Sequence, residues 1–214
     1  MTKLLFIRHG FSEANRLHIF AGSTNDVPLS EQGKKQGDTV SAFIAKNYAV
    51  DRILSSPMKR AQDTVKRLAE TTGLSVETDV DFVEIFGGEW EGKTFEEIEK
   101  ISPKEYFIWR NDFGNACPVG GESFSKLQKR VSQAAQRVAK ANAGKTVVIA
   151  THAGVLRALL AFLKEIPNQE VKNTTWVTNA SLTEIIYNEG KWTVEKESFA
   201  DYLGDNVTAL PSNI

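Results

Sequence analysis

The sequence predicts an α/β fold in three layers: a mostly parallel sheet with helices on both faces and a helical insertion capping the active site. Three observations carry this expectation. Apolar runs at 4–7, 53–54 and 146–150 end abruptly in the polar groups Arg8-His9-Gly10, Ser55-Ser56-Pro57 and Thr151-His152, as strands buried on both faces do at their carboxyl ends. Helical spacing follows the runs, and strands alternating with helices give a parallel sheet with its ligand crevice at the strands' carboxyl ends. The segment from Phe86 to Gly121 interrupts the alternation and reads as the insertion.

Along the chain, Leu4-Leu5-Phe6-Ile7 forms the first strand. A helix from about 30 to 47 buries Val40, Phe43 and Ile44. After Ile53-Leu54, Ser56 and Pro57 read as a helix cap and first helical residue, and Met58, Ala61, Val65 and Leu68 share one helical face. In the insertion, Thr94-x-x-Glu97 and Ser102-Pro103-x-Glu105 mark two short helix starts of the capping-box kind. A long helix from about 122 to 142 is buried through Phe124, Leu127, Val131, Ala134 and Val138. The strand at 146–150 leads into a helix with Val155, Leu156, Leu159 and Leu163 on one face. Near the C-terminus, 182–187 and 192–197 flank Asn188-Glu189-Gly190 as a hairpin. With no repeat, low-complexity tract or linker, residues 1–214 read as one domain.

Composition excludes several function classes. At 214 residues, 41% hydrophobic and 25% charged, the chain has ordinary globular values and can bury roughly 70% of its unfolded surface. The 26 Lys plus Arg nearly cancel the 27 Asp plus Glu, so no global field holds nucleic acid or an anionic membrane. No apolar stretch approaches the ~20 residues of a membrane span. The lone Cys117 and the absence of a signal-peptide core fit the cytoplasm. Three dispersed histidines give no familiar metal-ligand spacing, and no Walker loop or dinucleotide fingerprint appears. The expected set is therefore no metal, no cofactor, no nucleic acid and no membrane, with oligomeric state open.

Chemistry concentrates where the strands end. Arg8, His9 and Gly10 place a guanidinium and an imidazole together in the expected crevice, with a glycine that permits close backbone approach. The run Arg8-His9-Gly10-x-x-Glu13-x-Asn15 resembles the opening motif of the histidine phosphatase superfamily, the phosphoglycerate mutase-like proteins. Four later segments resemble that family in order: Pro28-Leu29-Ser30-x-x-Gly33-x-x-Gln36; Ser55-Ser56-Pro57-Met58-x-Arg60-Ala61-x-x-Thr64; Glu84 followed by Trp90-Glu91-Gly92; and Thr151-His152-x-Gly154-x-x-Arg157. The resemblance implies that His9 is the nucleophile and that Arg8, Arg60 and His152 hold phosphate oxygens. It further implies that Glu84 is the proton donor and that Asn15 adds a hydrogen bond. These types suit phosphoryl transfer. Arginine forks clasp phosphate at any working pH, their field favours a neutral imidazole, and a positioned carboxylic acid serves the leaving oxygen.

The resemblance implies a metal-independent phosphatase of a small phosphorylated metabolite, working through phosphohistidine. The alternatives are a phosphoglycerate mutase, against which Trp90-Glu91-Gly92 argues, and a non-catalytic phosphate-binding or interaction module, which would need neither nucleophile nor acid. Phe11 stands where Glu or Gln is frequent in the family, placing a ring near the pocket mouth. Gly87-Gly88-Glu89 alters the acid loop and makes Glu89 and Glu91 reserve candidates for the acid. His18 reads as loop packing or a substrate contact. Gly120-Gly121-Glu122-Ser123 reads either as a family-like segment or as a turn and helix cap.

Overall fold

The apolar run at 4–7 lies inside strand β1 (Thr2–Arg8) of a six-stranded sheet. The computed structural model describes residues 1–208. After β1 come α1 (Glu13–Arg16), α2 (Glu31–Asn47), β2 (Arg52–Ser55), α3 (Lys59–Thr72), β3 (Val76–Thr78), α4 (Phe95–Ile101), α5 (Pro103–Asn111), α6 (Phe124–Ala141), β4 (Thr146–Thr151), α7 (Ala153–Leu163), β5 (Leu182–Asn188) and β6 (Lys191–Phe199). The strand order is β3-β2-β4-β1-β5-β6. The first four of these strands pair in parallel, and the hairpin β5–β6 extends the sheet in antiparallel fashion from β1.

Each central strand is buried on both faces because side chains alternate along it. Leu4, Phe6, Val147 and Ile149 pack with α6 and α7, whereas Leu5, Ile7, Val148 and Ala150 pack with α2 and α3. The hairpin closes through Glu189 and Gly190, both at positive φ (48° and 88°), the conformation that lets a two-residue turn follow the strands' twist. The short strand β3 had no apolar run to announce it: Val76 is half-buried and Glu77 and Thr78 are exposed.

The insertion is held to the domain by aromatic edges. Phe20 meets Trp109 at 5.1 Å and Trp90 at 5.8 Å between centroids, and Trp109 meets Phe113 at 4.8 Å, all edge-to-face, the arrangement ring quadrupoles favour. The capping box at Thr94 and Glu97 forms as expected. Pro103 begins α5, but Ser102 makes no side-chain capping bond there. The start of α3 differs from expectation. Met58, not Ser56, is its N-cap, and the helix begins at Lys59, beyond Pro57. The Ser56 hydroxyl accepts from the Met58 amide (3.3 Å), two residues on and ahead of the helix, and also bonds His152 Nε2 at 2.7 Å.

On the β1–β5–β6 side of the sheet, buried Glu184 accepts hydrogen bonds from Lys196 Nζ (2.6 Å), Lys3 Nζ (2.9 Å) and the Tyr48 hydroxyl (2.8 Å). Burial opposes its charge, yet the bonds from Lys196, Lys3 and Tyr48 outweigh that penalty and hold its pKa down at about 2. A carboxyl lowered on folding stabilises above its unfolded value of ~4.3, and the contribution disappears as pH falls through the folded value. Glu184→Gln should therefore be less stable than wild type at pH 7, with a gap that narrows steadily below about pH 4. Urea denaturation at a series of pH values measures this; a gap independent of pH would refute it.

Candidate active site

The register Arg8↔Thr151 between β1 and β4 brings the next residues, His9 and His152, side by side past the strand ends. The His9 amide donates to the Thr151 carbonyl at 2.8 Å, and the two imidazole centroids lie 5.3 Å apart. His9 Nδ1 is 2.7 Å from the Gly10 carbonyl. A carbonyl only accepts, so Nδ1 carries the proton and Nε2 keeps its lone pair. The close packing of this loop on α2 needs glycines. A Cβ on Gly10 would fall 2.5 Å from the Gly33 carbonyl oxygen, and one on Gly33 would fall 2.1 Å from that of Phe11.

Two guanidiniums flank the imidazoles. Arg8 is buried, donates from Nη1 to the Val177 carbonyl (2.5 Å) and lies 5.1 Å from the Trp176 ring centroid. Arg60, in the first turn of α3, donates to the carbonyls of Gly22 (2.7 Å) and Asn25 (3.2 Å). Neither forms a salt bridge among the described residues. Burial lowers the Arg8 pKa to about 10, although Glu84 opposes the shift. Burial, then the charges of Arg60 and Arg8, push the His9 pKa well below its usual value despite the Gly10 carbonyl. His152 is lowered likewise, by burial first and then by Arg60 and His9. Both imidazoles are thus neutral at neutral pH.

Among the described residues, Nε of Arg8, Nε of Arg60 and Nδ1 of His152 are buried without a hydrogen-bond partner. Ser56 Oγ accepts from the Met58 amide (3.3 Å) and lies 2.7 Å from His152 Nε2. When that hydroxyl donates to Nε2, the neutral ring carries its proton on the unpartnered Nδ1. Unpaired buried donors cost ~1–3 kcal/mol each, more when charged. An oxyanion accepting from all three would remove that cost.

Glu84 approaches from the loop after β3. Its carboxylate accepts from the Ile85 amide (2.8 Å) and from the Gly154 amide (3.1 Å) in the first turn of α7, where the helix dipole favours negative charge. The loop is braced from behind. Arg130 on α6 donates to the carbonyls of Asp81 (2.7 Å) and Val83 (3.1 Å) while pairing with Glu122, and Thr151 Oγ1 donates to the Phe82 carbonyl (2.7 Å). Gly120-Gly121-Glu122-Ser123 thus supplies a positive-φ turn, the partner of Arg130 and the N-cap of α6.

Arg8, His9, Asn15, Arg60 and Glu84 line one cavity of about 480 Å³, and His152 lies fully buried beside His9. Phe11 and the exposed His18 are in the same wall. Asn15 Oδ1 accepts from Ser12 and from Asn179 Nδ2 (3.2 Å), leaving its amide nitrogen to donate. Of the reserve acids, Glu89 is exposed and outside this wall. Glu91 accepts the amides of Ser23 and Thr24 (2.8 Å each) and Gly87 (2.9 Å). Burial alone would raise the Glu91 pKa, but the bonds from Thr24, Gly87 and Ser23 hold it below the usual carboxylate range. Its work is to pin the loop whose Gly22 carbonyl positions Arg60.

Asn179, Trp176 and Arg130 escaped the sequence reading. Asn179 donates to the His9 carbonyl (3.1 Å) across 170 positions, a contact with no local pattern. Among the described residues, no group of three or more His, Cys, Asp or Glu is arranged to hold a metal, and no helix is long and apolar enough to cross a membrane.

A model of the histidine phosphatase superfamily (branch 1) matches residues 4–199. Phosphoserine phosphatase 1 of Hydrogenobacter thermophilus is 32% identical over 163 residues, 76% of each chain. The bifunctional protein Rv2228c of Mycobacterium tuberculosis is 33% identical over 159 residues, 74% of this chain, and the chain spans only 43% of that relative's length. Among solved structures, Bacillus stearothermophilus YhfR superposes with a TM-score of 0.90 at 27% identity, over 95% of this chain and all of that one.

Proposed function

This chain belongs to the histidine phosphatase superfamily, and we propose that it is a metal-independent phosphomonoester hydrolase for a small phosphorylated metabolite, working through phospho-His9. The observation that carries this reading is His9, with Nδ1 tied to the Gly10 carbonyl and Nε2 free, in one cavity wall with the buried arginines Arg8 and Arg60. The phosphatase names of the relatives support hydrolysis as the outcome.

In the proposed cycle, Arg8, Arg60 and the Nδ1–H of His152 hold the equatorial oxygens, and Asn15 donates one further bond. His9 Nε2 attacks phosphorus in line, forming an N–P bond as the ester P–O bond breaks. Glu84 passes a proton to the departing oxygen, releasing the alcohol. Water then attacks phospho-His9, Glu84 takes the water's proton, and the N–P bond breaks to free inorganic phosphate and His9. Positioning and charge neutralisation are what phosphoryl transfer chiefly requires. Two guanidiniums supply the positive charge that a metal ion supplies elsewhere, and the neutral His152 adds one hydrogen-bond donor.

The test is a panel of phosphomonoesters assayed in excess EDTA with purified protein. Phosphate release should be undiminished by the chelator. Loss of release, restored by a divalent ion, would refute the metal-independent reading. Conversion of 3-phosphoglycerate to its 2-isomer without net phosphate release would favour the mutase instead.

A further inference from the structure

A third buried arginine shares the cavity and has no place in the cycle above. Arg157 lies on α7, three residues beyond the Gly154 whose amide holds Glu84, and it lines the same cavity. Its guanidinium carbon is 4.2 Å from the Phe113 centroid and 5.9 Å from that of Trp176. Its one side-chain hydrogen bond among the described residues runs from Nη2 to the Val171 carbonyl (3.1 Å). A guanidinium has five N–H donors, and Nε here is buried with no partner among the described residues. The residue is only 7% exposed and forms no ion pair among the described residues. Burial lowers its pKa to about 10, so it stays charged at neutral pH.

We propose that Arg157 recognises a carboxylate on the substrate, which makes the preferred substrate a small phosphomonoester that also carries a carboxylic acid. This rests on the phosphatase reading for the phosphate end and for the proton on Glu84. Charge balance leads there. The wall holds three buried guanidiniums, Arg8, Arg60 and Arg157, against one carboxylate, Glu84; the more exposed Arg16 is already paired with Glu13. A phosphate dianion balances Arg8 and Arg60. The proposed cycle needs Glu84 to bring a proton to the departing oxygen; on that cycle one positive charge remains, and a monoanion matches it.

Geometry limits where that monoanion sits. Arg8 and Arg157 both pack against Trp176, at 5.1 and 5.9 Å from its centroid, so their guanidiniums are separated by no more than those two distances end to end. That ceiling is within the span of one small ester whose phosphate meets Arg8 and whose carboxylate, a few bonds away, meets Arg157. Contact with Phe113 and the bond to the Val171 carbonyl hold the planar fork in place, which favours the planar carboxylate it pairs with.

The experiment compares 2-phosphoglycolate with ethyl phosphate, esters of similar size that differ in the carboxylate. The wild-type protein should favour 2-phosphoglycolate in kcat/KM. Arg157→Met should cut that preference about 10- to 100-fold, mainly through KM, the worth of a charge-assisted hydrogen bond of ~1.5–3 kcal/mol. Arg157→Lys, which keeps the charge and guards against a folding defect, should retain part of the preference. Calorimetry on His9→Ala protein should show tighter binding of 2-phosphoglycolate than of ethyl phosphate, and that difference should vanish when Arg157→Met is added. No preference in the wild-type protein, or equal losses for both esters in Arg157→Met, would overturn the proposal. If neither ester were turned over, the phosphatase reading would fall while the calorimetric comparison still decided the role of Arg157.

Discussion

His9→Ala should abolish turnover, lowering kcat by more than about 10⁴-fold, because loss of a nucleophile leaves only binding and electrostatic residues of catalysis. The expectation follows from geometry as well as residue type. Nδ1 is committed to the Gly10 carbonyl, so Nε2 presents the lone pair, and burial with the Arg60 and Arg8 charges disfavours its protonation. Among the described residues of the cavity wall, the other imidazole, His18, is exposed, whereas His9 is buried beside Arg8 and Arg60. Rapid quench with a labelled ester should trap an acid-labile, base-stable phosphoenzyme in the wild type and none in His9→Ala. Because His9 is already neutral, the acidic limb of the single-turnover profile for phosphoenzyme formation should not fall at the usual imidazole range near ~6.5. A labelled enzyme that persists in His9→Ala would overturn the mechanism.

The neighbours of His9 show what was legible in the sequence. The apolar run ending at Arg8 and the run ending at Thr151 announced two strands that deliver polar residues at one edge, and the parallel register then sets His9 against His152. The helices α2, α6 and α7 and the hairpin were legible for the same reason: their burial pattern is periodic and local. Strand β3 was not, because three residues with one half-buried side chain leave no period to read. Nor was the support of the site. Ser56 carried a helix-cap signature, but the helix starts beyond it, and its hydroxyl also reaches His152, 96 positions away. Asn179 reaches the His9 carbonyl, and Arg130 braces the loop before Glu84, only once the chain has folded. Sequence pattern reports what a residue does for its own element; these residues serve a distant one.

Glu84→Gln should lower the turnover of an alkyl phosphate by about 10²–10⁴, the usual contribution of a positioned general acid. The size should depend on the leaving group. An alkoxide needs the proton, whereas p-nitrophenolate departs without much help, so the pre-steady-state burst with p-nitrophenyl phosphate should be nearly spared even if dephosphorylation slows. Gly154→Ala offers the same test without removing the acid. A Cβ at that position would lie 2.4 Å from Glu84 Oε1, and the flexible end of a glutamate yields more readily than a packed helix. The carboxylate should swing away from the Gly154 amide while α7, a better helix with alanine, keeps its place. Gly154→Ala should then reproduce the leaving-group pattern of Glu84→Gln at undiminished thermal stability. Equal burst losses for both esters in Glu84→Gln would deny Glu84 the acid role. The search would then pass to Glu89, since Glu91 is held by three backbone amides at the loop that positions Arg60.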